Sequence, residues 1–250
     1  MRHWPVSVIP NALNTNLFKP LDRNFARQAL GIPQDKTIIL FGALGGTGDP
    51  RKGFAHLQSA LQHLAGGRDG RIDAICVIFG ERPPQSPPDL GLPTQWMGYF
   101  HDELSLALLY SAADVMVVPS LQENAPQTAT EAQSSGCPVV AFNTTGLPDV
   151  IADRDTGYLA RPFDAADLAH GIRWVTQDRD RQARLAAAAR ERAVRLWSAD
   201  MVANQYLQLF RQLSHSSASA HQASRASAEL VIGAAAALFW FGDLGRQIFY

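Results

Sequence analysis

Short apolar runs typical of β-strands alternate with helical patterns along most of this chain of 250 residues. Strands that alternate with helices form βαβ units, in which a crossover helix joins two parallel strands. We therefore predict an α/β domain with a mostly parallel, Rossmann-like sheet and helices on both faces. The strand-like runs are residues 6–9, 37–41, 72–79, 94–97, 115–118, 139–142 and 157–159, and the helical patterns are residues 24–30, 53–64, 102–111, 127–135, 165–175, 178–197 and 199–213.

The composition narrows the kinds of partner and site. With 46% apolar residues the chain can bury a sizeable core, and its formal net charge of −1 argues against a nucleic-acid partner. The two cysteines, Cys76 and Cys137, are too few for a disulfide framework or a metal quartet, so we predict that both are reduced and structural. The sequence opens without a signal peptide, which predicts a cytoplasmic location.

The segment from Pro119 to Ala132 carries the most specific chemistry. It follows the apolar run 115–118 and places two carboxylates, those of Glu123 and Glu131, eight positions apart. A carboxylate after a strand and another on the next helix both face the crevice where open α/β sheets bind ligands. The N-terminus of that helix attracts anions. A ligand with hydroxyls at both ends and phosphate in the middle would satisfy both kinds of group, and a nucleotide sugar is such a ligand.

The segment resembles the paired-glutamate motif of the retaining GT-B glycosyltransferases of family 4, also called group 1. It reads Pro-Ser-Leu-x-Glu and then Glu-Ala-x-x-x-Gly-x-Pro-Val-Val-Ala, and its Glu-Asn-x-Pro-x-Thr part is similar to enzymes of bacterial exopolysaccharide assembly. The resemblance implies that Glu123 contacts the donor sugar, that Glu131 holds the ribose hydroxyls, and that Asn124, Ala125 and Pro126 belong to the donor site. The alternative is that Glu123 caps the helix and Glu131 is a solvated helix residue.

A glycine-rich loop over residues 42–53 follows one predicted strand and opens a helix. Glycines let the backbone approach a ligand closely, and Arg51 and Lys52 add positive charge. Lys52-Gly53 matches a pair that the family has at this helix start, which makes Lys52 the expected diphosphate contact beside Arg51 and Gly53. Ala43 stands where the family usually has Arg, so either Arg51 substitutes for it or diphosphate binding is weakened. An ordinary flexible loop is the alternative.

Two further positions match the family pattern. Gly98 and Tyr99 stand where the family lines the nucleobase pocket, and Tyr99 could either stack on the base or simply pack against the protein. The resemblance implies transfer of a sugar from a nucleotide diphosphate donor with retention of configuration, with Glu123 and Lys52 as the catalytic residues. It implies no metal ion, and we predict no cofactor.

The resemblance covers residues 6–213, which in a GT-B enzyme form only the C-terminal, donor-binding half. Residues 8–13 resemble the interdomain hinge, so we expect an N-terminal acceptor domain that is supplied by another chain or lost by truncation. We assign residues 1–213 to the donor-binding domain, residues 214–228 to a Ser/Ala-rich linker and residues 229–250 to an apolar tail of unknown role. The tail could dock in a protein groove, lie at the inner face of a membrane as a peripheral contact, or have no selected role.

The predicted function is that of a glycosyltransferase of hexosyltransferase type, active in polysaccharide biosynthesis. Its donor would be a UDP-, GDP- or ADP-linked sugar. A non-catalytic module that binds nucleotide sugars, or a truncated remnant, is the alternative for the isolated chain. A nucleotide-sugar epimerase of the same fold is a third hypothesis, which the segment around Glu123 fits less well.

Overall fold

The computed structural model describes residues 6–42, 45, 47–66 and 72–220, and side chains as far as residue 214. Its strands form one parallel sheet in the order β3-β2-β1-β4-β5-β6, so the predicted Rossmann-like architecture is confirmed. The strands are β1 (Thr37–Gly42), β2 (Ala74–Phe79), β3 (Thr94–Trp96), β4 (Val115–Val118), β5 (Val139–Phe142) and β6 (Gly157–Ala160). The α-helices are α1 (Arg23–Leu30), α2 (Phe54–Gly66), α3 (Glu103–Ala112), α4 (Gln127–Ser134), α5 (Leu147–Val150), α6 (Ala165–Thr176), α7 (Arg179–Trp197) and α8 (Ala199–Ala220).

The strands are continuous apolar runs because the sheet is covered on both faces. Successive strand residues point to opposite faces, so Ile38 and Leu40 join one buried cluster while Ile39 and Phe41 join the other. The first cluster includes residues of α1, α3, α4 and α7, and the second includes residues of α2 and α6. Four of the helices begin at an aspartate whose carboxylate accepts a backbone N–H of the first turn, and these are Asp22, Asp102, Asp164 and Asp178.

A buried carboxylate ties the elements of the sheet centre together. Asp114 is 3% exposed and accepts hydrogen bonds from Arg27 of α1 at 2.7 Å and from the backbone N–H of Ile38 at 2.7 Å. Arg23 and Gln182 bond to its other oxygen at 2.7 Å and 3.1 Å. Burial lowers the pKa of Arg27 from its usual value, but the Asp114 charge opposes that shift. These hydrogen bonds and ion pairs offset the free-energy cost of burying the Asp114 carboxylate.

The two cysteines have the structural role that the sequence predicts. Cys76 lies in β2 and Cys137 lies just before β5, and both are buried and free. Burial raises the pKa of both thiols to about 12, because a thiolate in an apolar environment is poorly solvated. Neither thiol is therefore a nucleophile at neutral pH.

Two expectations about the ends of the domain need correction. Residues 6–9 are not a strand: Val6 and Val8 are more than four-fifths exposed, and no described strand pairs with the segment. Their apolar pattern has no neighbouring strand to complete a ladder. Helix α8 runs to Ala220, past the predicted end of the domain at Leu213, so the first part of the predicted linker is helical. The rest of that linker and the tail of residues 229–250 lie outside the described residues.

The chain divides into two compact units. One consists of residues 10–201 and contains the whole sheet, and the described residues of the other are 6–9 and 202–220. Within the second unit, Leu207, Phe210 and Leu213 of α8 are between two-fifths and one-half exposed. Among the helices of the described residues, none has the length and apolar composition needed to cross a bilayer.

Two loops at the carboxyl edge of the sheet touch through a glycine. A 3-10 turn over Pro50–Lys52 is capped by Asp49 and ends at Gly53, which has φ 70°. A Cβ added at Gly53 would overlap the backbone carbonyl of Pro119, which follows β4. The backbone N–H of Leu121 also donates to the Arg51 carbonyl at 2.7 Å. The turn after β1 is therefore packed directly on the loop after β4.

We predict that Gly53→Ala destabilises the protein by about 1–3 kcal/mol more than Gly31→Ala does, because only the first adds an overlap to the strained φ. Gly31 is the matched control, since it has φ 64° but open space around its Cβ position. Urea unfolding of both variants measures the difference. Equal destabilisation would show that the contact with Pro119 does not constrain the loop.

Candidate functional site

A cavity of about 380 Å³ opens at the carboxyl edge of the sheet, between the ends of β1 and β4. The strand order reverses between these two strands, and doubly wound sheets bind ligands at such a switch point. Phe41 and Gly42 contribute one wall, and Val117 and Val118 contribute the other. The remaining lining residues are Asn11, Lys52, Pro119, Ser120, Glu123, Ala125, Pro126, Gln127 and Thr128.

A second cavity of about 660 Å³ is lined by residues of the same loops. Seven of its eight lining residues are polar or charged, and it shares Lys52 and Glu123 with the first cavity. The other lining residues are Arg51, Gln122, Asn124, Thr145, Gly146 and Asp149. The two cavities therefore adjoin at one pair of opposite charges.

That pair is an ion pair between Lys52 and Glu123. The Nζ atom of Lys52 lies 2.5 Å from Oε1 of Glu123, and the side chains are 28% and 13% exposed. The hydroxyl of Ser120 donates to the same carboxylate oxygen at 3.1 Å. Lys52 and Glu123 are 71 positions apart in the chain. The close contact of Gly53 with Pro119 brings their two loops together. The sequence predicts both residues as site residues, but it does not predict that they pair.

Arg51 lies at the rim of the second cavity. Its side chain is 71% exposed and pairs with Asp49 at 2.8 Å. Hydrogen bonds from Arg51 hold the pKa of Asp49 below its usual range. The pair is bidentate, since Nε of Arg51 donates to Asp49 at 3.1 Å and Nη2 donates at 2.8 Å, and the Arg51 side chain is mostly in solvent.

The N-terminus of α4 faces the first cavity. Pro126 occupies the N-cap position and supplies no side-chain hydrogen bond to the helix. Gln127 and Thr128, the first residues of the helix, line the cavity together with Ala125 and Pro126. The first N–H groups of a helix have no partner within it, and with the helix dipole they favour an anion. Asn124 precedes these residues and lines the second cavity.

Glu131 lies further along α4 and lines neither of these two cavities. The hydroxyl of Tyr110 donates to its Oε2 atom at 3.0 Å. Burial, reinforced by the Glu131 charge, raises the pKa of Tyr110 well above its usual value, so the phenol stays neutral and donates. This bond ties Glu131 to α3.

Gly98 and Tyr99 follow β3 on the same carboxyl edge, but they also line neither cavity. The carbonyl of Gly98 accepts the N–H of Gly80 at 2.8 Å, which joins the ends of β2 and β3. Tyr99 is 44% exposed. The two residues are therefore two strands away from β1, on the side opposite β4.

Several residues that sequence reasoning did not select also line the cavities. Asn11 and Ser120 belong to the first, and Thr145 belongs to the second. Ser120 stands next to the glutamate motif, and its hydroxyl was a signal that could have been used. Thr145 is 22 positions from the Glu123 that it contacts, and no local pattern predicts that contact. Ala43, where the family usually has Arg, lies outside the described residues.

Among the described residues, no group of three or more His, Cys, Asp or Glu side chains is arranged to hold a metal ion. The positive groups at the site are the side chains of Lys52 and Arg51 and the start of α4. The acceptors are the carboxylates of Glu123 and Asp149 with the amides beside them. The arrangement can hold a phosphate-containing anion on one side and a polyhydroxylated group on the other.

Comparison with known proteins gives the site its context. The family described as "Glycosyl transferases group 1" matches residues 22–192, which include both glutamates and Lys52. A D-inositol 3-phosphate glycosyltransferase of a Nocardioides strain is 33% identical over 225 residues, covering 83% of this chain and 48% of that protein. The sulfoquinovosyl transferase of Arabidopsis thaliana is 31% identical over 172 residues, covering 66% of this chain and 31% of that protein.

Solved structures show the same fold. Sucrose-phosphate synthase from Thermosynechococcus elongatus has a TM-score of 0.68 at 31% identity, over 83% of this chain and 52% of that one. HepE from Anabaena, solved in complex with UDP, has a TM-score of 0.69 at 21% identity, over 82% of this chain and 57% of that one. The chain thus spans about half the length of these relatives. Because the family model matches residues 22–192 and the Nocardioides relative is 33% identical, the chain belongs to the group 1 glycosyl transferases.

Proposed function

We propose that this chain binds a nucleoside diphosphate sugar and serves as the donor-binding part of a glycosyltransferase. The observation that carries the proposal is the Lys52–Glu123 ion pair, which stands where the two cavities adjoin at the switch point of the sheet. A cation and a carboxylate placed side by side suit a ligand whose phosphate is bonded directly to a sugar. The position of this ion pair between the two cavities therefore suggests which cavity holds the diphosphate and which holds the sugar.

The diphosphate is placed in the first cavity. Lys52 is 28% exposed and supplies an ammonium group, and the N–H groups at the start of α4 point their dipole at the same space. Gly53 lets the turn after β1 lie close to the backbone of Pro119, since any side chain at position 53 would overlap the Pro119 carbonyl. Arg51 lies at the rim of the second cavity and makes a bidentate pair with Asp49. When the diphosphate binds, Lys52 exchanges part of its contact with Glu123 for a phosphate oxygen.

The sugar is placed in the second cavity. Its polar walls offer the Glu123 carboxylate and the Asn124 amide, and carboxylates and amides accept hydrogen bonds from sugar hydroxyls. The ribose hydroxyls are assigned to Glu131, which Tyr110 orients from α3. The nucleobase is assigned to the loop at Gly98 and Tyr99, where the half-exposed Tyr99 ring offers a stacking surface.

The proposed reaction is transfer of the sugar with retention of configuration. The bond between the anomeric carbon and the diphosphate oxygen breaks, and the electron pair leaves with the diphosphate. Lys52 and the start of α4 stabilise the negative charge that grows on the departing group. Glu123 holds the sugar in place beside the breaking bond. The acceptor hydroxyl attacks the anomeric carbon from the face that the diphosphate leaves, and its proton passes to the diphosphate.

The names of the relatives support transfer of a sugar. HepE structures contain UDP and UDP-glucose, so a UDP-linked sugar is the first donor to test. The chain spans about half the length of the curated relatives, so we assign the acceptor site to a further domain, supplied separately from the residues described. A family 4 hexosyltransferase of polysaccharide synthesis, in the cytoplasm or at the inner face of the membrane, remains the prediction from the sequence.

A second candidate is a module that binds nucleotide sugars without transferring them. Ala43 favours it, because the family usually has an arginine there and an arginine would add charge to the diphosphate site. The two candidates differ in product rather than in binding. A transferase, given its acceptor domain, releases the free nucleoside diphosphate at a rate that depends on the acceptor, whereas the module leaves the donor intact.

Calorimetric titration of the purified chain with UDP, GDP, ADP and their glucose or mannose conjugates tests the proposal. We expect one base to bind with a dissociation constant of about 1 μM–1 mM, which is the common range of enzyme–substrate affinity. Circular dichroism establishes that the chain is folded in the same preparation. A folded chain that binds none of these ligands would contradict the proposal.

Lys52→Ala and Glu131→Ala are each predicted to weaken binding of that nucleoside diphosphate by about 1–3 kcal/mol, because each removes a charge-assisted hydrogen bond. Lys36→Ala is the matched control. Lys36 pairs with Asp73 at the opposite edge of the sheet and should leave the affinity unchanged. Unchanged affinity in both site variants would show that the ligand binds elsewhere.

A further inference from the structure

A turn between β5 and α5 holds a threonine in a conformation that threonine rarely adopts. Thr145 has φ 49°, in the left-handed region. Arg154 and Phe163 are the other described non-glycine residues with positive φ, and neither is branched at Cβ. A β-branched side chain crowds the backbone in this region, so the conformation costs free energy that the surrounding contacts must offset.

The contacts that offset it run to the main chain of Glu123. The hydroxyl of Thr145 accepts the Glu123 N–H at 3.0 Å, and the N–H of Gly146 donates to the Glu123 carbonyl at 2.9 Å. The turn also packs closely, because a Cβ at Gly146 would overlap the carbonyl of Asn124. Two adjacent residues of the turn thus hold both polar backbone groups of Glu123.

Thr145 also lines the ligand space. Thr145 is exposed and lines the second cavity with Glu123 and Asn124. A hydroxyl carries one donor and two acceptor lone pairs, and the Glu123 N–H occupies only one lone pair. In the described part of the chain, the Thr145 hydroxyl accepts this bond and donates none. That proton remains available to a ligand oxygen in the cavity.

We propose that Thr145 is a positioning residue for the donor sugar: it fixes the main chain of Glu123 at the wall of the second cavity at the cost of a left-handed conformation. This inference rests on the proposed function, because it deepens the account of the same site. It assigns to Thr145 an effect on the sugar half of the ligand. The diphosphate half is held by Lys52 and the start of α4, which lie outside this turn, so we expect the turn to affect it less.

Two substitutions separate positioning from plain stability. Thr145→Gly relieves the strain at φ 49° and removes the hydroxyl, two effects of opposite sign, so its thermal midpoint should stay close to that of the unmodified chain. Thr145→Ser keeps the hydroxyl and loses only the methyl group. A residue that acts only on stability would not weaken ligand binding in a Gly variant that is fully folded at the temperature of the titration.

The test compares affinities for UDP and UDP-glucose, or for GDP and GDP-mannose if titration selects guanine, in the purified full chain. We expect Thr145→Gly to lower the affinity for the nucleotide sugar by about tenfold. The affinity for the nucleoside diphosphate should change less than about twofold. Thr145→Ser should restore the nucleotide-sugar affinity to within about threefold of the unmodified chain. Hydrogen exchange of the Glu123 amide should be faster in the Gly variant than in the Ser variant.

The outcomes distinguish this inference from the proposed function. If the unmodified chain binds both ligands and Thr145→Gly weakens neither, or weakens both equally, Thr145 does not position the sugar and only this inference fails. If the Glu123 amide exchanges equally fast in all three proteins, the turn does not hold Glu123. If the unmodified chain is folded and binds neither ligand, the proposed function fails and this inference fails with it.

Discussion

The candidate site depends on one close contact, between Gly53 and the carbonyl of Pro119. Because no side chain fits between them, the turn after β1 lies directly on the loop after β4. That contact brings Lys52 to within 2.5 Å of Glu123, although 71 positions separate them in the chain. The backbone bond from Leu121 to Arg51 fixes the same two loops. Without this contact, the two charged groups would sit on independent loops.

The sheet decides where those loops meet. Its order reverses between β1 and β4, and the helices that follow these strands lie on opposite faces, which opens a crevice at their carboxyl ends. The crevice receives the N-terminus of α4 and the Lys52 ammonium on one side and polar side chains on the other. A ligand that is anionic at one end and rich in hydroxyls at the other meets matching groups in order. The sheet topology and the charged side chains therefore both place the candidate site at the carboxyl edge of the sheet.

The sequence predicts most of the fold because the strands are uninterrupted apolar runs, and β4 and β5 begin and end where their runs do. It fails at residues 6–9, since a four-residue apolar pattern does not reveal whether a neighbouring strand exists. Glu123 and Lys52 were found through local motifs. Their pairing, the turn at Thr145 and the bond from Tyr110 to Glu131 depend on residues far apart in the chain, and periodicity carries no information on such contacts.

The central claim is that the nucleotide sugar binds across the loops joined at Gly53. The most direct test is to follow backbone amide resonances of the labelled chain as the nucleotide sugar is added. The account predicts that the largest shifts occur at Gly53, at the non-proline residues of 120–128 and at residues 144–146, with little change at Asp73 and Ile75 at the opposite edge of the sheet. Shifts centred on that opposite edge, or a folded chain whose resonances do not move, would contradict it.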